Sequence, residues 1–172
     1  MENKFSLRKL QEKDAPFMLE WMHDEDVVSK LQNDFLTKTL ADCLVFIKEA
    51  ENEEYDLHLA IVDAMDEYLG TVSLKHITTY DAEFAITIRK KAMGTDCAIY
   101  AMKEIIKKGL YKLELTNIYW CVSSDNKRAL RFYDKNGYER VLFKCLSIDK
   151  EHIRKFYDDK QLKEYIWYQV MR

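Results

Sequence analysis

The chain has 172 residues, of which 48% are hydrophobic and 33% charged, enough for one sizeable core and too few for two. Its net charge of −3 is divided into −7 over residues 1–60 and +4 over residues 61–172, so long-range electrostatics do not favour nucleic acid as a partner. The start lacks a signal-peptide or transit pattern, and no apolar run approaches the roughly 18 residues of a membrane span, so we expect a cytoplasmic protein without a membrane partner.

The predicted strands and helices follow one another without a linker or repeat. In chain order they are a strand at 5–10, helices at 14–23 and 39–52, strands at 55–62, 68–75 and 82–88, a helix at 96–108, a strand at 113–122, a helix at 126–135, and strands at 138–148 and 164–170, with an irregular polar segment before the last. A capping box, Thr39-Leu-Ala-Asp42, opens the second helix, and Gly109 is expected directly after the helix at 96–108. Hairpins mixed with strand–helix–strand units predict an α/β (α+β) domain around a mixed sheet.

The cysteines and histidines show no metal-binding or disulfide pattern. The cysteines lie far apart, without a CxxC pair and without a histidine at ligand spacing: Cys43, Cys97, Cys121 and Cys145. This argues against a disulfide scaffold and a metal site, so we expect buried, reduced thiols. We expect surface or strand positions, rather than catalytic roles, for the scattered histidines His23, His58, His76 and His152.

A group of polar residues joins the strand at 82–88 to the next helix: Arg89, Lys90, Lys91, Gly94 and Thr95. Backbone N–H groups at a helix start carry partial positive charge, and the three cations add full charges beside them. The glycine would let a phosphate approach the backbone, and the threonine adds a hydroxyl donor. On these grounds alone, an anion-binding loop and an ordinary basic turn are equally well supported.

A second polar pattern opens the helix at 126–135. Asn126, Ala129 and Tyr133 fall on one face of that helix, so the small residue leaves a groove between two polar groups. A phenol at such a groove can act as a general acid. On spacing alone, a core tyrosine with a satisfied hydroxyl is the better supported alternative.

Together these stretches resemble the GNAT superfamily of N-acetyltransferases. The family's acetyl-CoA loop, roughly Arg/Gln-x-x-Gly-x-Gly/Ala, corresponds to Arg89-Lys-Lys-Ala92-Met-Gly94. Its later stretch, Asn-x-x-Ala-x-x-x-Tyr-x-x-x-Gly-Phe/Tyr, corresponds to Asn126, Ala129, Tyr133, Gly137 and Tyr138. Ala82-Glu83-Phe84 and Tyr68-Leu69-Gly70 resemble two family strands, and residues 20–27 resemble a subgroup that includes ribosomal-protein, polyamine and amino-sugar acetyltransferases.

The resemblance implies a single GNAT-like N-acetyltransferase domain over residues 1–172, with a twisted, mostly antiparallel sheet of about seven strands flanked by helices. It implies acetyl-CoA as the cofactor, held in a cleft between splayed parallel strands at 82–88 and 113–122. The pantetheine arm would pair with the backbone of Ile86 and Ile88, and Asn126 would help to seat it. The loop residues expected to bind the cofactor are Arg89, Lys90, Lys91, Ala92, Met93, Gly94 and Thr95, with the pyrophosphate at the N–H groups of Lys91 to Thr95.

One residue of this loop departs from the family pattern. Ala92 stands where the family usually has glycine. If the loop required a positive φ at this position, alanine would cost about 1 kcal/mol, and otherwise nothing would be lost.

The resemblance also implies direct attack of an amine on the thioester, so no cysteine or serine nucleophile is required. Tyr133 would protonate the departing thiolate, and a backbone N–H of the strand at 82–88 would polarise the thioester carbonyl. Glu83 is a candidate general base that acts through water. A structural, outward-facing strand carboxylate is equally well supported for this residue.

The acceptor side is expected to involve the early helices and the last strands, with candidate residues Trp21, Asp24, Glu25, Asp26, Tyr157 and Tyr165. The acidic first third favours a cationic acceptor, such as a polyamine or a protein N-terminus. The alternatives are an amino sugar or aminoglycoside, a non-catalytic acyl-CoA-binding module, and a protein that serves interaction only. A homodimer is a candidate assembly.

Overall fold

The computed structural model describes residues 4–172, which form seven β-strands and seven α-helices. In chain order these are β1 (Phe5–Lys9), α1 (Ala15–Met22), α2 (Glu25–Val28), α3 (Leu40–Glu49), β2 (Leu57–Asp63), β3 (Tyr68–Lys75), β4 (Asp81–Ile88), α4 (Cys97–Tyr111), β5 (Asn117–Val122), α5 (Lys127–Lys135), β6 (Arg140–Val141), α6 (Lys150–Ile153), α7 (Asp159–Glu164) and β7 (Ile166–Met171). Residues 1–3, which the expected domain included, lie outside the described residues. None of the helices within 4–172 is long and apolar enough to cross a bilayer.

The strands form one seven-stranded sheet in the order β1-β2-β3-β4-β5-β7-β6. Neighbouring strands are antiparallel except β4 and β5, which run parallel because α4 carries the chain back between them. This arrangement confirms the predicted mixed, mostly antiparallel sheet flanked by helices.

Side chains alternate between the two faces of the sheet along each strand, so both faces carry apolar side chains and helices cover both. On one face, α4 and α5 pack against strand residues such as Leu59, Leu74, Phe84 and Trp120. We call this the α4 face. On the other face, α1, α2 and α3 cover β2 and β3, while α6 and α7 cover β5 and β7 in a separate cluster.

Local sequence signals predicted several element boundaries correctly. The strand predicted at 68–75 has the bounds of β3, and the capping box of α3 is formed, with Thr39 and Asp42 bonding each other's backbone N–H groups. Each of these signals lies within a few residues of the element that it defines, so tertiary packing did not override it.

Three predictions in the second half of the chain were wrong. The strand predicted at 113–122 begins only at Asn117, because Glu114 has a φ of +57° and the N–H of Leu115 donates to the Gly109 carbonyl. The strand predicted at 138–148 shortens to β6, since a 3-10 turn begins at Phe143. The segment predicted to be irregular contains α6 and α7, which Asp149 and Asp158 cap.

Gly70 on β3 lies so close to β4 that a side chain has no room. A Cβ at Gly70 would lie 2.4 Å from the carbonyl oxygen of Thr87 and 2.9 Å from the Cα of Ile88. Both are backbone atoms, so relief requires displacement of β4. We expect Gly70→Ala to lower the free energy of unfolding by about 3 kcal/mol, measured by urea denaturation.

Gly137→Ala is the matched control for that measurement. Gly137 has a φ of +80°, but no atom lies within 4 Å of an added Cβ, so only backbone strain of about 1 kcal/mol is expected. Equal losses in the two variants would contradict the close-packing argument for Gly70.

Candidate functional site

The central feature of the sheet is a gap between β4 and β5. The two strands pair only where Asp81–Glu83 meets Asn117–Tyr119, and the remaining residues of β4 have no partner on β5. On its other side, β4 pairs with β3 as far as Ile88. The parallel pair therefore splays apart towards its carboxyl ends, as the resemblance to the GNAT superfamily implied.

The splayed part of β4 directs backbone polar groups into this gap. The N–H of Arg89, directly after β4, donates to the Leu69 carbonyl on β3 at 2.8 Å. Because backbone groups alternate in direction along a strand, those of Ile86 and Ile88 point away from β3. Peptide groups of a bound molecule can pair with them there.

The gap continues into a cleft of about 620 Å³ between β4, α2, the start of α4 and α5. Its lining includes the aliphatic and aromatic side chains Val27, Leu31, Ile86, Ile88 and Phe132. Eight of the predicted site residues lie in this lining together: Asp26, Ile86, Ile88, Met93, Gly94, Thr95, Asn126 and Tyr133. A cleft that combines apolar side chains with polar and charged ones suits an extended organic ligand that carries charged groups.

The loop between β4 and α4 contributes unpaired N–H donors to the cleft. A 3-10 turn covers Lys90–Ala92, and Gly94 follows with a φ of +76°. Within the described part of the chain, no acceptor pairs with the N–H groups of Gly94, Asp96, Ala98 and Ile99, all of which line the cleft. These donors lie at the start of a 15-residue helix, where backbone N–H groups can bind an anion.

The backbone at Ala92 resolves the departure from the family pattern. Ala92 lies in the 3-10 turn without a positive φ, and its N–H donates to the Arg89 carbonyl at 2.9 Å. Alanine is therefore unstrained at this position, and the left-handed residue is Gly94. The hydroxyl of Thr95 donates to the Ala92 carbonyl at 2.7 Å and also accepts the N–H of Cys97, so it braces the loop.

The side chain of Arg89 lies away from the cleft, contrary to the expected phosphate contact. Its guanidinium is 7% exposed and donates to Glu20 at 2.9 Å, to Glu67 at 2.6 Å and to the Tyr68 carbonyl at 2.8 Å. It also lies over the ring of Phe17, 4.5 Å from the centroid. Arg89 therefore ties α1 to the sheet.

The two lysines of the loop are paired with carboxylates at the surface. Lys90 lies 2.5 Å from Asp26, and Lys91 lies 2.6 Å from Glu67. Neither lysine belongs to the cleft lining. An anion at the loop would therefore meet the backbone donors rather than these side chains.

Four other cations line the cleft: Lys30, Arg128, Arg131 and Lys135. Among the described residues none of them has a carboxylate partner within 4 Å. Sequence reasoning missed them, although the three on α5 recur at helical spacing, which was the available signal. The positive charge of the cleft therefore comes from α5 and from Lys30, which lies between α2 and α3.

Tyr133 is a buried phenol on the α4 face. Its side chain is 6% exposed, lines the cleft and packs against Trp120, with ring centroids 5.3 Å apart. Burial raises the pKa of the Tyr133 hydroxyl above its ordinary value, so the phenol stays protonated at neutral pH. Asn126 also lines the cleft, and its side-chain oxygen caps α5 by accepting the N–H of Ala129 at 3.2 Å.

Glu83 lies where the pairing of β4 with β5 ends, on the sheet face opposite Tyr133, and is not part of the cleft lining. Its side chain is buried, and Oε1 accepts a hydrogen bond from the Tyr157 hydroxyl. Lys75 Nζ lies 3.5 Å from the same oxygen, and His76 Nε2 lies 3.5 Å from Oε2. Oε2 is buried without a hydrogen-bond partner in residues 4–172. The carboxylate is thus held in place with one oxygen unsatisfied.

The structure does not bring the predicted acceptor residues together. Trp21 on α1 is buried, and its indole N–H donates to the Tyr68 hydroxyl at 3.1 Å. Asp24 caps α2, Glu25 is exposed, and Asp26 lines the cleft beside Lys90. Of the two tyrosines predicted for this side, Tyr157 bonds Glu83, whereas Tyr165 packs against Tyr157.

The comparisons with known proteins agree with this architecture. Structurally similar proteins include the spermidine N-acetyltransferase of Vibrio cholerae in complex with CoA and spermine, with a TM-score of 0.76, 18% identity, and 98% of this chain and 95% of that chain covered. A GNAT-family acetyltransferase from Bacillus anthracis gives a TM-score of 0.72, 18% identity, and coverage of 98% and 95%. Curated protein sequences give no significant match. Residues 4–139 match the acetyltransferase (GNAT) domain, which is more than half of the chain. The chain belongs to the GNAT family of acetyltransferases.

Proposed function

We propose that the protein transfers the acetyl group of acetyl-CoA to a primary amine by direct attack within a ternary complex. The observation that carries this proposal is the cleft at the split of β4 and β5, which combines unpaired N–H donors, four cations and the Tyr133 phenol. Acetyl-CoA supplies an acetyl group activated as a thioester, and its phosphates are the anions that such a cleft suits.

The residues of the cleft fit coenzyme A from end to end. The N–H groups of Gly94, Asp96, Ala98 and Ile99 would bind the pyrophosphate, and the α5 cations would neutralise the phosphate charge. The backbone of Ile86 and Ile88 would pair with the amides of the pantetheine arm, which runs like a strand beside β4. A positive φ at Gly94 gives the turn that exposes these donors.

Proton transfer in this site would be divided between two residues. Tyr133 would donate its proton to the departing thiolate, since burial keeps the phenol protonated at neutral pH. Glu83 would remove a proton from the acceptor ammonium, because Oε2 has no competing hydrogen-bond partner among the described residues. A backbone N–H of β4 would polarise the thioester carbonyl.

The half-buried thiol of Cys121 also favours direct attack over an acyl-enzyme. Desolvation, together with the nearby Glu83 carboxylate, raises the pKa of Cys121 to about 12. A thiol with this pKa carries very little thiolate at neutral pH and is a weak nucleophile. The amine would therefore attack the thioester itself.

A polyamine is the acceptor that we propose to test first. The spermidine N-acetyltransferase with a similar fold supports this choice, and so does the charge of −7 over residues 1–60. The run from Asp24 to Asp26 lends less support, because Asp26 is paired with Lys90. Glu83 is the carboxylate that the acceptor ammonium would meet.

The test measures release of the CoA thiol from acetyl-CoA with a panel of amines at neutral pH. The panel contains spermidine, a peptide with a free N-terminal serine, glucosamine and kanamycin. We expect turnover with at least one amine, and acetylation confirmed by mass spectrometry. Binding of acetyl-CoA without turnover across this panel would instead favour a non-catalytic module, and no thermal shift with acetyl-CoA would favour an interaction-only protein.

A further inference from the structure

His76 is the group that faces the unsatisfied oxygen of Glu83. Its Nε2 lies 3.5 Å from Glu83 Oε2, and its side chain is 23% exposed, whereas that of Glu83 is 5% exposed. Catalytic hydrogen bonds are often long in a protein without its substrates and tighten in the reacting complex. His76 therefore stands between a buried carboxylate and solvent.

The backbone of His76 is held in an uncommon conformation. Its φ is +53°, which costs an L-residue about 1 kcal/mol relative to ordinary conformations. The N–H of His76 donates to Asp56 Oδ1 at 2.8 Å, and its ring stacks on Phe156 with centroids 3.6 Å apart and an angle of 13° between the planes. Strain that the surroundings hold in place beside a buried charge points to a functional position.

The titratable and charged groups around His76 come from β3, β4, α6 and the segment before β2. Lys75 adjoins it on β3, Glu83 lies on β4, Asp56 precedes β2, and His152 lies on α6. Burial is the largest effect and lowers the pKa of the His76 imidazole, while Glu83 and Asp56 oppose this shift and Lys75 and His152 add to it. The imidazole is neutral at pH 7 and can accept a proton.

We propose that His76 is a positioning residue that acts through Glu83: it takes up the proton that Glu83 removes from the acceptor ammonium and releases it to solvent. This inference rests on the proposed transfer of acetyl to an amine. It assigns a role to a histidine that sequence reasoning placed outside catalysis, because the contact with Glu83 is invisible in the sequence.

The protons balance with this assignment. An acceptor ammonium has one proton more than the amine that attacks, and this proton passes to Glu83, to His76 Nε2 and then to water. The amine nitrogen forms the bond to the acetyl carbon as the carbon–sulfur bond breaks, and the thiolate takes the proton of Tyr133. As the amide forms, the same nitrogen loses a second proton, and this proton returns to the phenolate of Tyr133. The products are the amide, the CoA thiol and one proton in solution.

The coupling between the two side chains can be measured without turnover. In ¹⁵N NMR titrations of the full chain, we expect Glu83→Gln to lower the pKa of His76, because the neighbouring anion is lost. Lys75→Met should shift the His76 pKa upwards, because a neighbouring cation is lost. A His76 pKa that neither substitution changes would overturn the inference. The NMR signals of the His152 imidazole in the same spectra show that each variant is folded.

The kinetic test uses His76→Asn, because asparagine tolerates a positive φ and has no imidazole. With acetyl-CoA and the panel amine of highest turnover, we expect kcat/KM for the amine to fall roughly tenfold to a hundredfold at pH 7. The loss should shrink as pH rises and should be reversed by added imidazole. The KM for acetyl-CoA should be unchanged.

His152→Gln is the matched control, since His152 contacts the same Phe156 ring but is not within ion-pair distance of Glu83. His152 has the smallest of the effects on the His76 pKa, so His152→Gln should shift the pH profile much less than His76→Asn does. Wild-type turnover together with an unchanged profile in His76→Asn would overturn the role of His76 alone. Absence of wild-type turnover with every panel amine would overturn the acetyl transfer and this inference with it.

Discussion

Replacement of Tyr133 by phenylalanine is expected to lower kcat by about a hundredfold or more. The thiolate would then leave without a proton donor, and general acid catalysis typically contributes roughly 10²–10⁴ in rate. The ring still packs against Trp120, so the KM for acetyl-CoA should change by less than about twofold. Steady-state release of the CoA thiol measures both constants.

The pH dependence gives this prediction a second readout. Burial raises the pKa of Tyr133, and the acid must be protonated to act, so its contribution is present at neutral pH and is lost only as pH rises through that raised pKa. The wild type should lose this contribution at high pH, and Tyr133→Phe should lack that limb. Tyr138→Phe is the control, because Tyr138 packs on the same Trp120 ring. Wild-type kcat in Tyr133→Phe would show that another group protonates the thiolate.

Removal of two cations from α5 is expected to weaken binding of acetyl-CoA. In Arg128→Met with Arg131→Met, we expect the KM for acetyl-CoA to rise about tenfold to a hundredfold, since each charge-assisted contact to phosphate contributes about 1 kcal/mol at a partly exposed site. Acetyl-pantetheine has no pyrophosphate and no nucleotide. Its KM should therefore be nearly the same in the variant and the wild type.

The loop lysines provide the comparison for this measurement. Lys90→Met with Lys91→Met removes the same charge from two residues that lie outside the cleft lining and are each paired with a carboxylate. We expect a change of less than about threefold in the KM for acetyl-CoA. A larger effect from the loop lysines than from the α5 arginines would mean that the phosphates meet the side chains that the sequence first suggested.

Much of the fold could be predicted because its signals are local. In β3 and β4, apolar residues alternate with polar ones or form short runs between turn residues, and a capping box marks the first turn of α3. The spacing of two motifs pointed to the family, and the match over residues 4–139 bears this out. Nothing in these signals depends on distant parts of the chain.

The parts that failed depend on distant contacts. Gly109 suggested a helix end, but α4 continues through it to Tyr111. A Cβ at Gly109 would lie 2.7 Å from Ile118 and 2.9 Å from Leu74, so no larger residue fits there. The glycine is there for close packing of the helix on the sheet. Likewise, the sequence predicted Arg89 as a phosphate ligand, but its guanidinium is paired with Glu20 and Glu67.

The gap between β4 and β5 creates an edge strand in the middle of a sheet. Exposed strand edges normally invite pairing with another chain, and proteins protect them with charges, proline or very short strands. Here the unpaired stretch of β4 is protected by position, because α5 and the loop before α4 flank the gap that another strand would have to enter. The molecule thereby keeps unsatisfied backbone groups available for a narrow ligand without offering a template for aggregation.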